Sequence, residues 1–229
     1  MNDAEIVDQT IAFVKETLRG AEGGHDWFHI QRVFKNTLLI AKEENVDVLV
    51  VSLGALLHDI ADAKFHQGDE KIGPQLASSF LRELGVKKKI VNHVVKIIEN
   101  ISFKNNLKKK RGRPFKSNEL QVVQDADRLD AIGAIGIARA FNYGGFKNRE
   151  LYNPKIAPNL KMTKEEYKKS TAPTINHFYE KLLLLKDQMN TDTGKRLAQE
   201  RHDYMMGFLE QFYKEWNPLS PLANPDVTD

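Results

Sequence analysis

From Val46 to Ile60 the chain runs almost unbroken through apolar residues, VDVLVVSLGALLHDI. At helical spacing Val48, Leu49, Val50, Val51, Leu53, Ala55, Leu56 and Leu57 point in all directions, so such a helix has no polar face to give to water. It must be enclosed by other elements. Asp47, Ser52, His58 and Asp59 interrupt the stretch, which falls short of the ~20 apolar residues a membrane span needs. Enclosure inside a protein, as the central helix of a domain, is the expectation.

The rest of the sequence supplies the enclosing elements. Ile6, Thr10/Ile11, Val14 and Leu18 recur at three- and four-residue intervals, a first amphipathic helix started by Asn2 with Glu5 and ending near Gly20. A second is expected over about Asp26 to Glu44, with Val33, Phe34, Leu38 and Ala41 on one side. The central helix, about Asp47 to Ala61, is followed by one around Pro74 to Leu84 that closes on Gly85, and by another from about Lys87 to Asn100. A sixth runs from about Asn118 to Phe141. Its glycines and alanines predict close packing, or a break or bend at an undefined place, and Leu120 to Val123 is a candidate short strand. After the irregular stretch NYGGFKNRELYNPKIAPNLKM, Thr163 with Glu166 fits a capping box. Helices are expected from Pro173 to about Asp187 and from about Thr191 to Trp216.

No sustained period-two pattern and no internal repeat competes with this, so the class is all-α. Residues 1–142 are expected to form the helical core, 143–216 a loop plus C-terminal helices packed on it, and 217–229 a disordered tail. At 229 residues the chain is long enough to bury a core without staples. It has no cysteine, which excludes a disulfide framework, a thiolate nucleophile and thiolate-bound zinc or iron–sulfur. MNDAEIVDQT lacks the basic-then-apolar pattern of a secretory signal, and a cytoplasmic protein is expected.

The formal charge of +3 is unevenly distributed. Lys104 to Lys116 holds seven basic residues and no acid, while the other 27 basic residues face 31 acids. A lysine-rich stretch with Gly112 and Pro114 reads as a solvated loop, and the sharper readings are a phosphate-attracting flap or a nucleic-acid patch.

The chemistry concentrates at His58-Asp59, two polar residues that end the most apolar helix. Burying them unsatisfied would cost on the order of 2–7 kcal/mol for the neutral group and more for the charge, so they need partners or a metal. His29, in GHDWFHIQRV, starts the preceding helix. Two helices joined by a short turn run antiparallel, which brings His29 beside the doublet. A fourth candidate comes from QDADRLDAIGA, where Asp127 and Asp130 share a helix face and Asp125 points elsewhere. Two imidazoles and two carboxylates suit Mn²⁺, Fe²⁺, Co²⁺, Ni²⁺ or Mg²⁺ better than structural zinc. An ion held with open positions activates water and polarises a phosphoryl oxygen, so the expected chemistry is hydrolysis.

GHDWFHIQRV, ALLHDIAD and VQDADRLDAIGAIG together resemble the HD-domain metal-dependent phosphohydrolase superfamily, specifically its bacterial HD-domain hydrolases with a helical C-terminal region. The resemblance runs from about Gly24 to Phe141, and HFYEKLLLLK and TGKRLAQERH extend it. It implies an HD-domain helical bundle with a C-terminal extension, and as metal ligands His29, His58, Asp59 and Asp127. Binuclear members use further histidines before the last Asp. Here only His66 and His93 lie in that interval, which implies one divalent ion, with Mn²⁺ favoured. Some related nucleotidases carry a Glu three residues after the doublet to activate water, and Asp62 stands there in this chain.

Asp62 is accordingly the candidate catalytic residue, i+4 from His58 and i+3 from Asp59 and so expected on the same face, as water activator or proton carrier, with orientation of a histidine ligand as the alternative. Asp26 is a candidate N-cap, Arg32 a candidate ion-pair partner for Asp26 or another nearby acid, and Asp130 lies one turn beyond Asp127. Lys64, Lys104 and Arg128 lie closest in sequence to the motifs and are the candidates for neutralising substrate phosphates. Trp27, Phe28, Phe65, Phe103, Phe141 and Tyr143 are candidates for stacking on a base. The substrate expected is a small-molecule nucleotide, above all a nucleoside or deoxynucleoside triphosphate cleaved to monophosphate and pyrophosphate. The alternatives are a 5′-nucleotidase or another phosphomonoesterase or phosphodiesterase of the superfamily. A nucleic-acid-binding module that uses the Lys104–Lys116 loop is the reading from another class. No membrane partner is expected.

Overall fold

The computed structural model describes residues 1–20, 26–61, 71–101, 115–163, 166 and 169–219. Asp62, Lys64, Phe65, Phe103, Lys104, the basic segment up to Pro114 and the tail from 220 lie outside the described residues. Among the described residues the secondary structure is entirely helical. The elements are α1 (Asp3–Thr17), α2 (Trp27–Ala41), α3 (Val48–Leu57), α4 (Ile72–Glu83), α5 (Lys88–Asn100), α6 (Asn118–Asp130), α7 (Gly133–Phe146), α8 (Thr174–Glu180), a 3₁₀ helix (Leu182–Gln188) and α9 (Asp192–Trp216). None of these helices is long and apolar enough to cross a membrane.

The starts follow local chemistry. Asn2 and Glu5 form a reciprocal capping box on α1, and Asp26, Asp47 and Ser117 cap α2, α3 and α6 by accepting from backbone N–H groups one turn ahead. Thr163 and Glu166 make the expected capping box. Three differences from expectation matter. Leu120 to Val123 lies within α6 and is helical, because Ser117 caps the helix at Leu120 N and the apolar residues face the core. The expected sixth helix is two: Ile132 is extended (φ −127°, ψ 170°) and Gly133 adopts φ +74°, which only glycine takes without strain. The stretch after Pro173 likewise divides into α8 and the 3₁₀ helix.

The chain forms two compact units, Met1–Ala131 with Asp187–Leu197, and Ile132–Lys186 with Ala198–Asp229. In the first, α3 is the enclosed helix, packing against α1, α2, α5 and α6, with Val51, Leu53, Ala55, Leu56 and Leu57 fully buried. Fully burying such aliphatic side chains contributes roughly 1.5–3 kcal/mol each. Gly54 lets the neighbours close in: a Cβ there would stand 3.2 Å from Ile97 and 3.4 Å from Val123, on α5 and α6. The second unit has an aromatic core in which Phe178 and Phe208 stack and Phe141 meets both rings. Phe141 is therefore core, not a base-stacking surface.

Candidate metal centre

Helices α2, α3 and α6 pack against one another pairwise, and each brings ligand-type side chains to one place. On α2, Asp26 caps the helix by accepting from His29 N at 3.0 Å, which holds the backbone of the histidine itself. Asp26 is thus an N-cap. Helix α3 ends at Leu57, earlier than the periodicity implied. His58 is its C-cap, and the ring Nδ1 lies 2.8 Å from the Ala55 carbonyl, one of the acceptors a helix end leaves unpaired. His58 and Asp59 therefore stand at a helix end, not along a helical face. The helical spacing that placed Asp62 beside them does not extend past Leu57.

His29, His58 and Asp59 each offer a ligand atom, and these atoms lie within 4.8 Å of one another. From α6, Asp127 Oδ1 approaches to 3.7 Å from His29 Nε2 and 3.9 Å from His58 Nε2. The two imidazoles are buried, with ring centroids 5.4 Å apart, while the Asp127 side chain is 40% exposed. The four residues thus combine an enclosed nitrogen pair with a carboxylate that reaches solvent.

Hydrogen bonding decides which ring nitrogens face this site. His29 Nδ1 is 2.8 Å from Asp130 Oδ2. Asp130 in turn accepts from Arg32, Nε to Oδ1 at 2.5 Å and Nη2 to Oδ2 at 3.1 Å. A carboxylate gripped by a guanidinium accepts only, so Nδ1 carries the hydrogen. The Ala55 carbonyl likewise accepts only, so His58 Nδ1 carries its hydrogen. In both neutral rings the lone pair then sits on Nε2, and both Nε2 atoms face Asp127. The Asp130 hydrogen bond raises the Arg32 pKa above its usual value, against the opposite pull of burial.

That arrangement fits a divalent cation. Donors held about 2.1 Å from an ion stand roughly 3.0 Å apart at a right angle and roughly 4.2 Å apart across it, which brackets the 3.7 and 3.9 Å separations. Neutral imidazoles and two carboxylates carry −2 in a partly buried place, which a cation offsets, whereas the charge of Asp130 is already balanced by Arg32. His29, His58 and Asp59 form a group of the kind that could hold a metal ion.

The third aspartate of QDADRLD has a different role. Asp125 is fully buried and accepts from Asn190 N and Nδ2, from Thr191 N and Oγ1, and from Arg128 Nη1. Arg128 Nη1 also donates to the Gln188 carbonyl at 2.8 Å. The guanidinium of Arg128, the candidate phosphate partner, thus neutralises a buried acid one turn back through Nη1. Sequence reading also passed over Asp125 as a structural hub, although an acid amid Val122, Val123 and Ala126 signals a buried carboxylate that needs donors. Trp27 lies under Lys15, Phe28 is 63% exposed beside His29, and Tyr143 is 52% exposed. At the opposite end of α3 a cavity of about 450 Å³ is lined by Asp47, Val50, Lys87, Lys89, Ile90, His93 and Glu119, none of them a member of the cluster.

Comparison with known proteins places this geometry among relatives. The HD domain family model matches residues 27–132, which contain all four candidate ligands. The chain is 36% identical over 218 residues to the uncharacterized protein YpgQ of Bacillus subtilis (strain 168), covering 94% of this chain and 96% of that one. An HD-superfamily hydrolase from Bacillus thuringiensis superposes with a TM-score of 0.76 at 43% identity, over 94% of this chain and 99% of that one. The crystal structure of Bacillus subtilis YpgQ in complex with ADP gives a TM-score of 0.74 at 36% identity, over 94% and 97%.

Proposed function

This chain belongs to the HD-domain hydrolase superfamily, and from that premise we propose that it is a divalent-metal-dependent phosphohydrolase acting on nucleotides, cleaving nucleoside and deoxynucleoside triphosphates to monophosphate and pyrophosphate. The observation that carries the reading is the convergence of His29, His58, Asp59 and Asp127 from three helices, with both Nε2 lone pairs turned to the same place. These four residues hold the ion, with Mn²⁺ the favoured metal. When bound, a divalent cation polarises a phosphoryl oxygen and renders water nucleophilic near neutral pH. The ADP held by the Bacillus subtilis relative supports a nucleotide as the ligand class.

The chain's own residues divide the remaining work. His29 and His58 supply nitrogen donors on rings whose orientation is fixed by the bonds of Nδ1 to Asp130 and to the Ala55 carbonyl. Asp127, whose side chain is 40% exposed, faces the side from which substrate enters. Asp62, three residues beyond the doublet, takes the proton of the attacking water. Lys64 and Lys104 balance the charge of the polyphosphate, and the basic run that begins at Lys104 suits a triphosphate better than a monoester. A cytoplasmic location accords with a cysteine-free chain and a soluble substrate.

The test uses protein stripped of metal and reloaded with Mn²⁺, incubated with nucleoside mono-, di-, tri- and cyclic phosphates, with orthophosphate and pyrophosphate quantified separately. Pyrophosphate and monophosphate from triphosphates, lost in Asp59→Ala, is the expected result. Orthophosphate from monophosphates would instead establish a nucleotidase, and silence with every metal would refute the enzyme.

A further inference from the structure

Two histidines enter the same cluster, yet their outer nitrogens are held by different chemistry. His58 Nδ1 meets the Ala55 carbonyl of its own helix, a neutral acceptor one turn back. His29 Nδ1 meets a carboxylate from another helix, 101 residues away in sequence, and that carboxylate is 1% exposed. Arg32 stands one turn along α2 from His29 and grips both oxygens of Asp130. The three groups form a chain, guanidinium to carboxylate to imidazole, across α2 and α6.

We infer that Asp130 is a positioning residue for the metal site, held by Arg32, and that its task is to keep the His29 hydrogen on Nδ1 so that Nε2 presents its lone pair to the ion. The inference rests on the metal-binding reading above and adds to it two residues outside the ligand set. A neutral imidazole free in water populates both tautomers, and one with its hydrogen on Nε2 must surrender that proton or rotate before it can ligate. A buried carboxylate at 2.8 Å removes that choice, because an accepting oxygen opposite Nδ1 admits only a donor there. The arginine is needed for two reasons. It offsets the charge of a carboxylate beside a site already at −2, and its fork fixes both oxygens, leaving Asp130 no freedom to turn away. The Nε and Nη2 contacts show that fork in place.

An isosteric amide cannot reproduce the arrangement. In Asp130→Asn one oxygen must serve three N–H donors that two oxygens serve now. If the amide nitrogen turns to Arg32 Nε, donor faces donor. If it turns to the Oδ2 position, it opposes Arg32 Nη2 and presents a hydrogen to His29 Nδ1, which is then relieved only by moving the ring hydrogen to Nε2. Asp130→Ala removes the acceptor outright. In Asp130→Ala the tautomer of His29 is released while that of His58, anchored on Ala55, is not; in Asp130→Asn it is released only when the amide nitrogen takes the Oδ2 position, because an oxygen left there still accepts from Nδ1.

The experiment reads the two histidines side by side. Metal-free protein labelled with ¹⁵N-histidine, at a pH where the rings are neutral, is examined by long-range ¹H–¹⁵N correlation spectra, which distinguish the tautomers of each of the seven histidines. Mn²⁺ affinity is measured separately by electron paramagnetic resonance titration. In the native chain His29 and His58 should both carry hydrogen on Nδ1. In Asp130→Ala the Nε2–H form should appear at His29 alone, with Mn²⁺ affinity reduced by roughly 10–100-fold. Arg32→Met, which leaves the carboxylate able to accept, should retain the Nδ1–H form and lose less affinity, so the inference stays testable if the Asp130 variants fold poorly: a full switch of tautomer in Arg32→Met would overturn it. An unchanged His29 tautomer in Asp130→Ala would also overturn it, whether or not affinity falls. Failure of the native protein to bind Mn²⁺ or any other divalent ion would instead strike the metal reading itself, a result separable from the tautomer spectra because those are recorded without metal.

Discussion

Replacing Asp125 by asparagine separates a structural acid from the proposed metal ligand two residues away. The carboxylate is fully buried, and its Oδ2 accepts from Asn190 N at 2.9 Å, Thr191 N at 2.8 Å and Thr191 Oγ1 at 2.9 Å. Its Oδ1 accepts from Asn190 Nδ2 at 2.8 Å and Arg128 Nη1 at 3.1 Å. Thr191 Oγ1 itself accepts from Gly194 N at 2.9 Å, which commits its own hydrogen to Asp125. An amide must turn its NH₂ against one of these sets. Facing Thr191 it opposes a backbone N–H and a committed hydroxyl. Facing Arg128 and Asn190 it does less damage, because Arg128 Nη1 keeps the Gln188 carbonyl and Asn190 Nδ2 keeps Gln124 Oε1 at 3.3 Å. Two donors lose an acceptor at about 1–3 kcal/mol each, and the cheaper orientation favours the lower half of the sum, about 2–4 kcal/mol. For a chain of this length 1 kcal/mol moves the thermal midpoint by roughly 2–4 °C, so calorimetry should show a fall of about 4–16 °C. The Mn²⁺ affinity of the folded variant should change far less than the roughly 10–100-fold expected for a group that ligates or orients a ligand. A midpoint within about 2 °C of the native one, or an affinity loss of that larger size, would refute the division of labour drawn for α6.

Three further outcomes follow from particular contacts. Gly194→Ala would place a Cβ 2.5 Å from Asp125 Oδ2 and 2.7 Å from Thr191 Oγ1, so it should cost on the order of 1–3 kcal/mol in urea unfolding, and a neutral result would mean the Asp125 network is looser than drawn. Burial, with Lys181 and then Arg149 adding to it, lowers the His177 pKa from 6.5 to about 4. The unfolded chain then binds the proton first as pH falls, so stability is full above about pH 6.5 and declines toward pH 4 by up to about 3 kcal/mol. His177→Gln should remove that part of the slope in pH-dependent melts, and an unchanged slope would assign it elsewhere. Saturating Mn²⁺ should raise the thermal midpoint, by about 2.7 kcal/mol of added stability at a hundred times the dissociation constant, and the rise should vanish in Asp59→Ala.

Much of the fold was legible because it rests on local chemistry. An apolar helix with no polar face identified α3 as the enclosed element, and the caps at Asn2, Asp47 and Ser117 lie where the residue types indicate. The break between α6 and α7 was visible only as a surplus of glycine, because the extended Ile132 is set by its tertiary surroundings and no residue type announces it. At the site, the grouping of His29 with His58 and Asp59 was legible from antiparallel helix logic. What was not legible is the partner of each polar group. Arg32 has Asp26 close by in sequence, at i−6, yet pairs with Asp130 at a separation of 98 residues. Arg128, adjacent to a ligand, turns to Asp125.

The three aspartates of QDADRLD show why residue type and spacing underdetermine role. All three sit within two turns of one helix, and composition cannot rank them. Their surroundings can. Asp125 looks toward the residues that lead into α9, where backbone N–H groups of Asn190 and Thr191 need acceptors, so it becomes an anchor. Asp130 meets an imidazole and a guanidinium on α2, so its charge is consumed within the protein. Asp127 alone is left partly exposed, with two imidazole nitrogens in front of it and no lysine or arginine among the described residues paired with it. A carboxylate in that position is the one with charge to spend on a ligand from solution. The same reasoning explains why the site tolerates so many acids: the anchor and the brace are each neutralised by an arginine on the spot, Arg128 for one and Arg32 for the other, which confines the uncompensated charge to the place where a divalent ion fits.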